Sequence, residues 1–192
     1  MNVATQISGN IRPGNKALIA LRTMLTHVGI NVAHPEKDEP LFYGADPSTV
    51  WQRYDKELEF YNSIGKSSFH IVYNDGEIDN EIGLQILYAM LKGRPVLITG
   101  KPVFAANCNL FVRDTLQKHL REFHSINLPE LELTELSLLL HKLKPTSYSL
   151  SKNEKVLINA GVKMFFRNLL AEAKELRPRT HSVIRPVQDL PL

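Results

Sequence analysis

The chain has one cysteine, Cys108, in 192 residues. No internal disulfide is possible, and a reducing, cytoplasmic setting is expected. Its surroundings, Phe104-Ala-Ala-Asn-Cys-Asn-Leu-Phe111, bring no His or Asp at a spacing that would activate the thiol. The expectation is therefore an inert, packed side chain. No apolar run approaches the roughly 20 residues that span a bilayer, and Met1-Asn-Val-Ala-Thr-Gln6 lacks a basic segment followed by an apolar one. A protein neither exported nor membrane-bound is expected. With 10 Gly and 11 Pro, collagen-like and low-complexity classes are excluded. No internal repeat is present. Among the seven histidines only His119 and His124 are close in sequence, and nothing nearby completes a metal site. No metal and no cofactor are expected.

A strong excess of charge is also missing: Lys+Arg 23 stand against Asp+Glu 20, with a formal net charge of +3. The distribution is uneven. Residues 1–100 carry 9 basic and 11 acidic side chains, and residues 101–192 carry 14 and 9. The basic tail with Arg177, Arg179 and Arg185 lacks interleaved aromatics, so it gives no strong nucleic-acid signal.

What is present in the first hundred residues is an alternation of strand and helix signals. Val3–Gln6 reads as a strand leading into the loop Ser8-Gly-Asn-Ile-Arg-Pro-Gly-Asn15. Ala17, Leu18, Leu21, Met24, Leu25 and Val28 then recur at helical spacing before Gly29. Ile30–Ala33 is a second strand. Asp46-Pro47 starts a helix running to about Ile64, with Gly65 as its stop. Ser68–Tyr73 is a third strand, Glu81–Lys92 an apolar helix, and Pro95–Thr99 a fourth strand. Strands separated by helices or long crossovers predict a parallel sheet covered on both faces, with ligands bound beyond the carboxyl ends of the strands. After Pro102 the strand signal fades, and Leu110–Phe123, Leu131–Leu143 and Glu154–Glu175 read as helices.

Three carboxylates fall where such a sheet gathers its functional groups. Asp75 follows the third strand, Glu81 opens the next helix, and Asp55 lies in the helix before that strand. In a first helical turn the macrodipole favours the ionised carboxylate, the form required of a nucleophile.

The run Ile71-Val-Tyr-Asn-Asp75-Gly-Glu-Ile-Asp-Asn-Glu81-Ile-Gly83, followed by Lys92-Gly-Arg-Pro-Val96-Leu-Ile, resembles the signature of nucleoside 2-deoxyribosyltransferases and the related nucleoside and nucleotide N-glycosidases. The interval from Asp55 to Asp75 also matches that family's spacing, and the resemblance covers roughly Val3 to Lys101. It implies that Glu81 attacks the anomeric carbon of a nucleoside, that Asp55 supplies or relays the proton of the departing base, and that Asp75 holds the sugar 5′-hydroxyl. Two-carboxylate glycosyl transfer has the same chemistry. Gln6, Ser8, Gly9 and Arg12, at the end of the first strand and in its loop, are further candidates for substrate binding. A nucleoside is expected over a nucleotide, because Asp75 repels a phosphate placed beside it. The chain departs from the family at Asp79, where a small residue is usual, at Gln6-Ile7, where an aromatic is usual, and at Ser67-Ser68, where an Asp often stands.

The expectation is thus a flavodoxin-like (Rossmann-like) α/β domain over residues 1–103, a helical extension over 104–176 and an extended or disordered tail over 177–192. The activity expected is cleavage of an N-glycosidic bond by transfer or hydrolysis, in a homo-oligomer built by the C-terminal helices. Two alternatives stand beside it: a non-catalytic nucleoside- or nucleotide-sensing module of the same fold, and hydrolysis of the nicotinamide bond of a dinucleotide.

Overall fold

Parallel strands need a crossover that returns the chain to the same end of the sheet, and the helices between these short β-rich runs supply it. The computed structural model, which describes residues 4–9, 16–33, 47–74, 78–100, 108–126 and 132–175, has this form. Strands β1 (Ala4–Gly9), β2 (Asn31–Ala33), β3 (Phe69–Asn74), β4 (Val96–Gly100) and β5 (His124–Ile126) make one sheet in the order β2-β1-β3-β4-β5. Every pairing is parallel. The order is that of a flavodoxin-like doubly wound sheet, and it reverses between β1 and β3.

The helices are α1 (Lys16–His27), α2 (Pro47–Lys66), α3 (Asn80–Leu91), α4 (Leu110–His119), α5 (Leu133–Lys142) and α6 (Lys152–Glu175). Alternation along the strands divides the core. Ile7, Ile71 and Leu97 pack with Leu21 and Leu25 of α1 and Leu136 of α5. Val72, Val96 and Ile98 face the other way, into α2, α3 and α4. Helix α6 lies outside this second layer against α2 and α3. That cover explains why α3 is buried from Ile82 to Met90 without a polar face. Close approach is built in at two helical glycines. A Cβ at Gly83 would overlap Val112 of α4, and one at Gly161 of α6 would lie 2.9 Å from Leu84.

Two expectations are corrected. The sheet does not end with β4: His124–Ile126 adds a fifth strand, so the region read as a helical extension completes the same sheet across residue 103. The helix expected to continue to Phe123 ends at His119 and passes through a single turn of 3₁₀ helix, Leu120–Glu122, into that strand. Asp46 and the tail 177–192 lie outside the described residues. Among the described residues no helix is long and apolar enough to cross a membrane.

The second half is tied down by polar contacts as well as by its core. Tyr148 Oη donates to the Arg94 carbonyl at 3.0 Å and accepts from Val96 N–H at 2.9 Å, which fixes the segment before α6 to the start of β4. At the start of α6, Glu154 binds Lys118 Nζ at 2.8 Å and accepts from Ser151 N–H at 2.7 Å. Buried His119 places Nδ1 2.5 Å from Glu122 Oε1.

Gly100 ends β4 at φ +93°, and a Cβ there would overlap the backbone oxygen of Asn74 on β3. Gly100→Ala is expected to lower stability by at least about 2 kcal/mol, combining overpacking with the left-handed backbone penalty. Urea denaturation checks it, and an unchanged midpoint would contradict the close approach.

Candidate functional site

In a parallel sheet the helix that follows each strand returns toward its amino end, so the starts of the intervening helices cluster at the carboxyl edge. Here Ser8-Gly9 of β1 and Asn74 of β3 end beside each other, at the point where strand order reverses. α2, α3 and α4 each follow a strand of the sheet, so their starts lie at this edge. This is the crevice that such folds use for ligands.

Glu81 occupies the first turn of α3. That helix begins there because Asp79, in extended backbone, caps it, accepting from Ile82 N–H at 2.8 Å. The residue that departs from the family pattern therefore has a local structural role. Glu81 Oε2 meets Arg53 Nη2 at 3.0 Å, across 28 residues of sequence. Both side chains are partly open, at 24% and 23%. Arg53 was not among the residues expected at the site. Asp55 is exposed and lies about 200° around α2 from Arg53, two residues at 100° each. It faces away from the ion pair.

Ser8 and Gln85 form the floor. Ser8 Oγ donates to Gln85 Oε1 at 2.6 Å, and Gln85 stands one turn after Glu81 on α3. Gly9 closes β1 opposite Tyr73. The Gln6 side chain, Arg12 and Asp75 lie outside the described residues. The structure thus brings Ser8, Gly9 and Glu81 to one crevice, adds Arg53 and Gln85, and leaves Asp55 on the solvent side of its helix.

The aromatics of α2 are packing residues. Tyr54 meets Phe166 edge-on at 5.5 Å, and Tyr61 meets Tyr88 at 5.2 Å and Phe166 at 5.3 Å. Burial, then the charges of Glu57 and Glu81, hold the Tyr61 phenol well above its ordinary value. Cys108 is buried and its thiol donates to the Ile78 carbonyl at 2.9 Å. Burial, with Asp79 nearby, pushes its pKa up, so the thiol stays protonated. Among the described residues no three His, Cys, Asp or Glu side chains are grouped to hold a metal.

Strand order and crevice together define a doubly wound α/β protein of flavodoxin-like topology. No family model matches the chain, and no curated protein does. A solved structure described as the glycotransferase of kitacinnamycin aligns with a TM-score of 0.40 at 8% identity, over 99% of this chain and 43% of that one. The chain spans less than half the length of that structure.

Proposed function

We propose that the protein cleaves the N-glycosidic bond of a nucleoside, with Glu81 as nucleophile. The observation that carries this reading is the position of Glu81: a carboxylate in the first turn of α3, at the switch point of the sheet, held by Arg53 at 3.0 Å. An oxygen of Glu81 bonds to the anomeric carbon as the bond from that carbon to the base nitrogen breaks, and the base leaves with the bonding pair and takes a proton. That proton comes from water, since Asp55 faces away from the ion pair on the exposed side of α2. Water then hydrolyses the glycosyl ester, or a second base displaces it. Arg53 fixes the direction of the carboxylate. The reaction is placed in the cytoplasm, in keeping with a single reduced cysteine.

A second reading has one observation in its favour. Arg53 already engages Glu81, as in a binding module whose carboxylate is structural. Incubation with a panel of 2′-deoxynucleosides and ribonucleosides, with and without a second free base, separates the two. Release or exchange of base supports catalysis. Saturable binding with no release, at protein equal to substrate, supports the module.

The reading includes a homo-oligomer, for which Val156, Leu157 and Met164 on the outer side of α6 are support, at 57%, 41% and 61% exposed. Light scattering at micromolar protein is expected to give a mass above the 21.8 kDa of one chain. A monomer mass removes this part of the reading.

A further inference from the structure

The floor of the crevice carries a polar pair that the chemistry above does not use. Ser8 and Gln85 are only 2% and 6% exposed. Their neighbours along α3, Leu84, Ile86 and Leu87, are buried apolar residues, so an amide at position 85 departs from the composition of the helix. It sits four residues after Glu81, on the same face of α3. Its partner is the next-to-last residue of β1, at the point where strand order reverses. Buried polar groups are costly unless hydrogen-bonded, and the bond between these two uses only the serine hydrogen and the amide oxygen, leaving the Ser8 lone pairs and the Gln85 amide hydrogens to be matched.

The hydrogen bond between them sets what they can offer a ligand. A serine hydroxyl has one hydrogen, and here it is committed to Gln85 Oε1. Ser8 Oγ can then meet a ligand only as an acceptor. Gln85, whose oxygen is taken up by Ser8, meets a ligand as a donor through Nε2. An acceptor beside a donor complements a group that is both, which is an alcohol hydroxyl. A phosphate or carboxylate oxygen brings no hydrogen for Ser8. We infer that Ser8 and Gln85 are binding residues for one hydroxyl of the ligand's sugar, and that they make the crevice selective for the hydroxylated sugar over the matching deoxy sugar.

This inference rests on the reading of the crevice as a nucleoside site, but not on turnover there. The test is equilibrium binding of the full chain to adenosine and to its 2′-deoxy, 3′-deoxy and 5′-deoxy counterparts. For the wild type, one of the three is expected to bind at least about tenfold more weakly than adenosine, since a site that pairs with a hydroxyl rejects the analogue lacking it. In the double variant Ser8→Ala/Gln85→Leu that penalty is expected to vanish. Replacing both partners leaves neither buried group unpaired, and the melting temperature is measured alongside. Where the double variant does not fold, Ser8→Cys keeps the shape, weakens the acceptor and is expected to shrink the penalty severalfold. A folded variant that keeps the full penalty overturns the inference, as does a wild type that binds all four alike or none. Base release with a flat hydroxyl pattern removes this inference and leaves the role of Glu81 standing. A hydroxyl pattern without base release does the reverse.

Discussion

Glu81→Ala is expected to slow base release at least about a thousandfold, the scale on which enzymes lose rate when the nucleophile itself is removed. α3 begins at Asn80 because Asp79 caps it, and the first turn then sets Glu81 one turn ahead of Gln85, the partner of Ser8. Arg53 fixes the carboxylate from the neighbouring helix. Removing the carboxylate leaves Arg53 without this partner, so a loss of activity must be separated from a loss of fold. The two differ in size. Both side chains are about a quarter exposed, and ion pairs open to solvent contribute about 0–1 kcal/mol, so the melting temperature should move by only a few degrees. Glu81→Gln refines the test, because its amide oxygen still accepts from Arg53 but cannot form the glycosyl ester. Mass spectrometry after a brief incubation with substrate should show a sugar adduct on wild-type Glu81 and none in either variant. Glu81→Gln retaining activity within tenfold of the wild type would sink the assignment.

The same residues show how far sequence could reach. Helix α3 and its carboxylate were legible because one short segment contains the whole signal: an acidic cap, a first-turn Glu, a glycine and an apolar run. The cap itself was open to reading, since Asp79 stands just before the first helical residue and three before Ile82, a standard start signal. The partners of Glu81 were less accessible. In sequence Arg53 lies among Lys56, Glu57 and Glu59, the composition of a solvated face, yet the buried phase of α2 runs through Trp51, Tyr54, Leu58 and Tyr61. That phase places Arg53 on the flank of the buried stripe and Asp55 away from it. The Ser8–Gln85 bond spans 77 residues and is fixed by strand order, which local pattern does not encode. β5 was missed because only three residues form it, two of them exposed and polar, and its pairing to β4 is through backbone groups that carry no side-chain signature. The cover of α3 by α6 explains a helix without a polar face, but which helix supplied it is a tertiary fact.

Mild acid is expected to destabilise the protein through His70. This residue sits in the central strand β3, on the side facing α2, where Phe60 meets its ring edge-on at 6.4 Å. It is fully buried, and neither ring nitrogen has a hydrogen-bond partner among the described residues. Burial disfavours the imidazolium and lowers its pKa from 6.5 to about 3. Between those values the unfolded chain binds a proton that the native state refuses. Stability from this group is therefore fully present above about pH 7 and declines as pH falls through 6.5, by about 1.4 kcal/mol per pH unit and about 5 kcal/mol across the whole window. Two carboxylates act in a lower window. Burial works to raise Glu154, but Lys118 and Ser151 outweigh it and hold its pKa at about 2. Glu122 is likewise held below its ordinary value, with burial opposed by His119 and Ser149. Both weaken the fold only as pH falls below about 4.5, so between pH 5 and 6.5 the histidine acts apart from them. Urea unfolding of wild type and His70→Leu at pH 5.0, 5.5, 6.0, 7.0 and 8.0 isolates the effect. The difference in unfolding free energy should be constant from pH 7 to 8 and shift in favour of the variant by about 2 kcal/mol on going to pH 5. Curves that stay parallel from pH 8 to pH 5 would mean that the buried imidazole finds a way to carry its proton in the native state.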